Sequence, residues 1–308
     1  MKILVTGASG FIGGNIVLAL VKEDSNYEVI AIGRKQIDKF NNFQQVEYLS
    51  LDLTKNLPQI ECDVCIHCAG LADDRSSKKD LIEQNVFATQ QLINALIGCK
   101  TFIFISSSSV YDFSDNQAKK ETDASLSDNL SQYGESKLIA EKIIEKSGIN
   151  SIYILRPRAV YGKGDYTLLP RILKLFKFNK IISPGSLDIS ISLTHINNLT
   201  NLIIAAFKQS KKGIFIYNIS DKIVYNLKSI IGEISLKKNG KKSFIRIPVK
   251  IIQLILFFNS LFKIRSNISK QSLLYLTQNA VLIIQKVQSD FEFDCSSNFY
   301  SSLSDLEI

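Results

Sequence analysis

The chain has 308 residues, 45% of them hydrophobic and 21% charged, which gives enough apolar material for one large or two modest cores and excludes a disordered or low-complexity protein. Thirty-seven Lys and Arg against 29 Asp and Glu leave a formal charge of +8, favouring phosphorylated small molecules, an anionic membrane surface or nucleic acid as partners. The longest dense apolar stretch, Ile251 to Phe262, falls short of the roughly 20 residues of a membrane span, no cleavable leader precedes the first strand-like run, and five uneven cysteines make no disulfide framework, so reduced thiols and a cytoplasmic location are expected.

Apolar β-rich runs at Ile3–Val5, Glu28–Ile32, Val46–Leu49, Val64–His67 and Thr101–Ile105 alternate with helix-period segments at Phe11–Val21 and Lys79–Ile97. That order builds βαβ units and a parallel sheet. A helix over Ser131–Lys146 and a strand over Ser151–Leu155 follow, then Pro157, Gly162 and Gly164 break the pattern. The expected architecture is an α/β doubly wound parallel sheet, a dinucleotide-binding domain over 1–165, with a smaller, mainly helical substrate lobe over 166–308, some of whose segments return to the first domain. Within that lobe, Leu168–Phe178 and Asn198–Lys208 read as helices, Ile189–Leu193 and Gly213–Asn218 as strands, Pro184-Gly185 as a turn, and Leu227 to Phe262 and beyond as mainly helical.

The first strand runs into Gly7-Ala8-Ser9-Gly10-Phe11-Ile12-Gly13 and then a helix. Gly7 permits a tight exit, Gly10 lets backbone N–H groups approach a pyrophosphate, and Gly13 lets helix and strand pack closely, so this first βα turn suits a dinucleotide. About 20 positions further on, where the NAD version of this fold carries an acidic residue, stand Gly33, Arg34 and Lys35. Without a carboxylate to repel it, and with two cations to hold it, a 2′-phosphate is accommodated, which predicts NADP over NAD. Asp52, before Leu53-Thr54, is placed to accept from the adenine amino group or to cap its own turn. Cys68-Ala69-Gly70 present small side chains beside the cofactor.

Ser106-Ser107-Ser108-Ser109-Val110-Tyr111 follows the fifth strand, and a helix then opens near Tyr133-Gly134-Glu135-Ser136-Lys137. Tyrosine and lysine four apart share a helix face, so the Lys137 ammonium can lower the Tyr133 phenol from about 10 toward working pH. Tyr133 can then act as acid or base while a serine hydroxyl orients the substrate oxygen for hydride exchange.

GASGFIG, DVCIHCAG, the Asn85-Val86 helix, FIFISSSSVY, YGESK and LRPRAVYGKGD together resemble the extended short-chain dehydrogenase/reductase superfamily, NAD(P)-dependent epimerase/dehydratase type. The resemblance implies Ser107, Tyr133 and Lys137 as the catalytic set. It also implies Asn85 as the family asparagine beside the cofactor and Pro157 as the start of the loop beside the nicotinamide. Sugar 4,6-dehydratases of the family carry an Asp-Glu pair where this chain has Ser108-Ser109, so dehydration lacks an evident acid and base. Where many nucleotide-sugar members of the family have an asparagine before V-Y-G, this chain has Ala159 preceded by Arg158. The implied activity is oxidoreduction or epimerisation at a secondary alcohol or ketone of a nucleoside-diphosphate sugar, with Ser108, Arg158 and Arg171 on the substrate and Lys163 and Lys174 as further anion contacts. RPRAVYGKGDYTLLPRIL and SLTHINNL are also similar to 3β-hydroxysteroid-dehydrogenase-like and ketoacid-reductase branches, which would act on a hydrophobic substrate. A non-catalytic NADP-binding sensor is the alternative of another class, and a homodimer through the Lys79–Ile97 and Ser131–Lys146 helices is the family-style expectation.

Cys62, Cys65 and Cys68 spell C-x-x-C-x-x-C, but strand alternation points Cys65 opposite to Cys68 and no fourth cysteine follows at cluster spacing, so a core role is expected and no metal. His67 and His195 read as structural or loop residues. Lys237–Lys242 before the apolar 251–262 stretch could lay a helix on an anionic membrane; a core-packing helix behind a solvated loop is the favoured reading. The cations are not interleaved with stacking aromatics, which disfavours nucleic acid.

Overall fold

The computed structural model describes residues 1–73, 76–209, 211–261, 270–291 and 295–306. Strands Lys2–Thr6, Glu28–Gly33, Val46–Ser50, Val64–His67, Thr101–Ile105, Ser151–Pro157 and Gly213–Ile219 form one seven-stranded sheet. Every neighbouring pair is parallel. Across the sheet the order is 213–219, 151–157, 101–105, 64–67, 2–6, 28–33, 46–50. The chain therefore winds outward from its first strand in both directions, and the crevice between 2–6 and 64–67 is the topological switch point where ligands of such sheets bind. Side chains alternate across each strand: Ile3 and Val5 enter one core with Val29, Ile66 and Ile103, while Leu4 enters the other with Ile30, Cys65 and Phe102. Burial on both faces explains why these strands are nearly continuous apolar runs.

Gly213–Ile219 lies along Ser151–Pro157 over its whole length, and the Ile196–Gln209 helix packs Leu202, Ile203 and Phe207 into the same core as the first helix, Phe11–Glu23. The smaller lobe has its own core of Tyr161, Leu169, Ile181, Leu227, Ile230 and Ile234. It is less helical than its sequence suggests. The Leu168–Leu173 helix stops early, and Phe178 and Asn179, at φ 50° and 59°, close a two-residue hairpin between Phe176–Lys177 and Lys180–Pro184. Phe244–Ile247 adds a parallel third strand, and only Ser190–Ile191 of the run 189–193 is a strand.

The Val249–Leu261 helix buries Ile252 but leaves Ile251, Leu254 and Ile255 about half exposed, at 49%, 55% and 51%. One side of it packs as expected and the other does not; Phe262 lies outside the described residues. No helix among the described residues is long and apolar enough to cross a membrane. Cys62, Cys65 and Cys295 are buried. Among the described residues no three His, Cys, Asp or Glu side chains converge to hold a metal.

Candidate active site

Gly7 leaves the first strand at φ +70°, and a Cβ there would lie 2.7 Å from the Ala69 backbone nitrogen. A Cβ on Gly13 would overlap the Gly7 carbonyl. These two glycines let the turn, the first helix and the Cys68–Gly70 loop close on one another. Gly10 is the N-cap, and the first turn after it carries no acidic residue, so the positive helix end is not neutralised by a side chain and fits a pyrophosphate. The Phe11 N–H donates to the Tyr166 hydroxyl at 2.9 Å, bringing a residue of the segment after the Gly162 break directly over the turn. Ile12 instead packs against the core beneath.

Beside the second strand, Arg34 Nη1 donates to Gln84 Oε1 at 3.0 Å. A Cβ on Gly14 would meet Lys39 Nζ at 3.0 Å, so a further cation lies against the start of the first helix. Its position depends on how the 34–45 loop folds back, which no local pattern reveals. Asp52 Oδ1 accepts from the Thr54 backbone N–H and hydroxyl at 3.0 and 2.9 Å, which holds its carboxyl below the usual range; it caps its own turn, with Leu53 buried behind it.

The loop after the fourth strand hangs on a buried relay. Thr89 spends its only proton on the Asn85 carbonyl at 2.6 Å, so its oxygen accepts from His67 Nε2 at 2.9 Å. His67 Nδ1 must then be the acceptor for the Thr6 hydroxyl at 2.7 Å, and Thr6 in turn accepts from the Ala69 N–H at 3.2 Å. Burial pushes His67 down to about 3 and the Cys68 thiol up to about 12, so both stay neutral at physiological pH. Asn85 accepts from the Leu71 N–H at 2.6 Å and donates to the Leu71 carbonyl at 3.1 Å and to Ser136 Oγ at 2.9 Å. It sits in a π-helical insert, Ile82–Phe87, between helical turns Lys78–Leu81 and Ala88–Ala95, a distortion that commonly marks functional positions.

Ser107 ends the fifth-strand segment as the N-cap of a short turn, Ser108–Val110. Its Oγ accepts from the Ser109 N–H and donates to Ser109 Oγ, each at 3.1 Å. Ser131 caps the Gln132–Glu145 helix through the Gly134 N–H at 3.0 Å. At Gly134 a Cβ would collide with the Ser109 carbonyl, so the glycine between Tyr133 and Lys137 lets their helix abut the serine turn. Tyr133 is half-buried on this helix, and its carbonyl accepts from Ser136 Oγ at 2.8 Å. One turn on, buried Lys137 donates from Nζ to the Ile105 carbonyl at 2.8 Å, lies 4.4 Å from the Phe104 ring centroid, and sits 3.4 Å from where a Gly70 Cβ would be. Desolvation pulls its ammonium down to about 8. The serine turn, the tyrosine helix, the lysine and the Cys68–Gly70 loop thus meet at the carboxyl ends of the central strands.

Of the residues expected on the substrate, Ser108 is turned inward, 2% exposed, whereas Ser109, which no motif distinguishes from its serine neighbours, lines a recess with Arg158, Asn129 and Ser131. Pro157 closes its strand opposite Ile219. Arg171 Nη2 donates to the Ala72 carbonyl at 3.1 Å, tying the lobe to the loop after the fourth strand.

Residues 3–220 match the model of the NAD dependent epimerase/dehydratase family. The chain is 29% identical over 242 residues to UDP-glucose 4-epimerase of Vibrio cholerae, covering 71% of this chain and 70% of that one. It is 36% identical over 188 residues to an uncharacterized UDP-glucose epimerase of Bacillus subtilis, 53% of this chain and 57% of the relative. Its fold is similar to the crystal structure of UDP-glucuronic acid 4-epimerase from Bacillus cereus in complex with NAD, with a TM-score of 0.71 at 23% identity over 98% of this chain and 96% of that one. With the match running from the first strand of the sheet to its last, the chain belongs to the NAD dependent epimerase/dehydratase family of enzymes.

Proposed function

We propose that the protein oxidises and reduces a secondary alcohol or ketone carbon of a nucleoside-diphosphate sugar, as an epimerase or a ketoreductase. The observation that carries this reading is Lys137: a desolvated amine, anchored on Ile105, one helical turn from Tyr133 and beside the Gly70 loop. Bound over the glycine turn, the nicotinamide cofactor would supply the hydride donor or acceptor. Tyr133 gives its proton to the substrate oxygen in reduction and takes one in oxidation, Ser107 hydrogen-bonds that oxygen, and Lys137 keeps a positive charge behind the phenol. The substrate class is supported by the names of the relatives, UDP-glucose epimerases, and by the net positive charge. Among cofactors we favour NADP, because neither Gly33 nor its successors Arg34 and Lys35 is acidic and Lys39 Nζ lies beside Gly14 at the start of the first helix. A homodimer through the Gln132–Glu145 helix and its neighbour over 78–95 is part of this reading.

The test is turnover of a panel of UDP- and dTDP-sugars with NAD and NADP. The expected result is conversion of at least one nucleotide sugar, with Tyr133→Phe lowering kcat by about 10²–10⁴-fold at an unchanged melting temperature. Full activity in that variant, or no binding of either pyridine nucleotide, overturns the proposal. Arg34→Gln should weaken NADP more than NAD; equal loss removes the cofactor preference alone.

A further inference from the structure

Two arginines stand two positions apart at the end of one strand, and the fold treats them oppositely. Arg156 is saturated: Nε and Nη2 donate to the Glu141 carboxylate at 3.0 and 2.6 Å, and Nη1 donates to the Tyr111 hydroxyl and the Glu121 carbonyl at 2.8 and 2.7 Å. Arg158 has its backbone fixed instead, its N–H donating to Thr194 Oγ1 at 3.1 Å and its carbonyl accepting from the same hydroxyl at 2.8 Å. Its guanidinium carbon lies 5.3 Å from the Phe113 ring centroid and 5.7 Å from that of Tyr275. Nε is shielded from water and has no hydrogen-bond partner among the described residues.

Arg158 is half-buried, and a guanidinium with a shielded Nε between two aromatic rings and no anion among the described residues is left short of partners, because the rings replace only part of its lost hydration. Were this side chain structural, the pairing given to Arg156 would be expected here too. Burial also lowers its hold on its proton, yet guanidinium stays charged in proteins. The side chain faces a recess of about 40 Å³, lined by Ser109, Asn129, Ser131 and Gln271 together with the rings of Phe113 and Tyr275 and large enough for a few water-sized atoms. Ser109 shares a hydrogen bond with Ser107, and Ser131 caps the helix that carries Tyr133, so the recess adjoins the reacting groups.

Resting on the nucleotide-sugar reading above, we propose that Arg158 is a specificity residue that receives an oxyanion of the substrate, from a carboxylate on the sugar ring or from the diphosphate. Planar guanidinium matches either through paired N–H donors. Arg158→Gln separates the sources by calorimetric titration of the NAD- or NADP-loaded protein with UDP, UDP-glucose and UDP-glucuronic acid. Loss of a charge-assisted contact predicts weakening by about 10–100-fold. A loss at least tenfold larger for UDP-glucuronic acid than for the other two assigns the ring carboxylate, and an equal loss on all three assigns the diphosphate. Dissociation constants within twofold of the parent for all three overturn the proposal. If the unmutated protein binds the cofactor but none of the three ligands, the nucleotide-sugar reading itself has failed and the assignment falls with it.

Discussion

An amine sealed among strands does not behave like the surface lysines that dominate this chain. Lys137 has a folded pKa of about 8 against an ordinary 10.5, so between those values the unfolded chain holds a proton that the folded one lacks. Stability therefore rises with pH across that window, and below about pH 8 the folded protein bears the full penalty, roughly 3 kcal/mol. Lys137→Met should accordingly melt no lower than the parent at pH 7, lose that pH dependence, and drop kcat by at least about 100-fold; a large fall in melting temperature at pH 7 would mark the amine as structural. At this scale the sequence was readable where chemistry repeats at helical spacing, as in Tyr133 and Lys137. Ser109, Lys39 and Tyr166 were hidden because each owes its place to a chain reversal that leaves no periodic trace.

Between elements, one glycine and one ion pair set how the Gln132–Glu145 helix meets the sheet. Gly134 lies in a recognisable motif, but its reason is the Ser109 carbonyl pressed against its α-carbon. In an exposed helix alanine would be favoured by about 1 kcal/mol; here Gly134→Ala should instead cost about 1–3 kcal/mol through overpacking and reduce kcat by pushing the tyrosine helix off the serine turn. Denaturant titration alongside steady-state rates checks both. Further along the helix, Glu141 is fully buried against Arg156, and Ser106 donates its hydroxyl to the same carboxylate. Glu141→Gln leaves a buried guanidinium without its counter-charge, for an expected loss of about 3–5 kcal/mol in chemical unfolding. Helix and strand are legible from periodicity, whereas the π-helical insert around Asn85, whose side chain bonds Leu71 and Ser136, leaves no periodic trace.

For the whole molecule, the alternation of strands and helices disclosed the doubly wound plan, and a break at Pro157, Gly162 and Gly164 suggested where the second lobe begins. What no local pattern could give is how the chain comes back: Gly213–Ile219 covers the outer edge of Ser151–Pro157, and the Ile196–Gln209 helix closes the core over the first helix. A fragment of residues 1–165 lacks both. We expect it to bind a hydrophobic dye and to show no cooperative thermal transition, whereas the intact chain melts cooperatively; a cooperatively folding fragment would mean that the returning segments are dispensable. The small hairpin at Phe178-Asn179 escaped notice for a similar reason, since its strands are two and five residues long and carry no alternation to read.

The Tyr166 phenol resting on the Phe11 amide bears on how fast the protein can be loaded. On the proposed reading, a cofactor phosphate taking that amide would first displace the exposed Tyr166 hydroxyl, so association would run below the speed that charge attraction alone would allow. Once the phosphate has replaced it, the freed ring lies next to the newcomer, and the same side chain that delays entry is in position to slow escape.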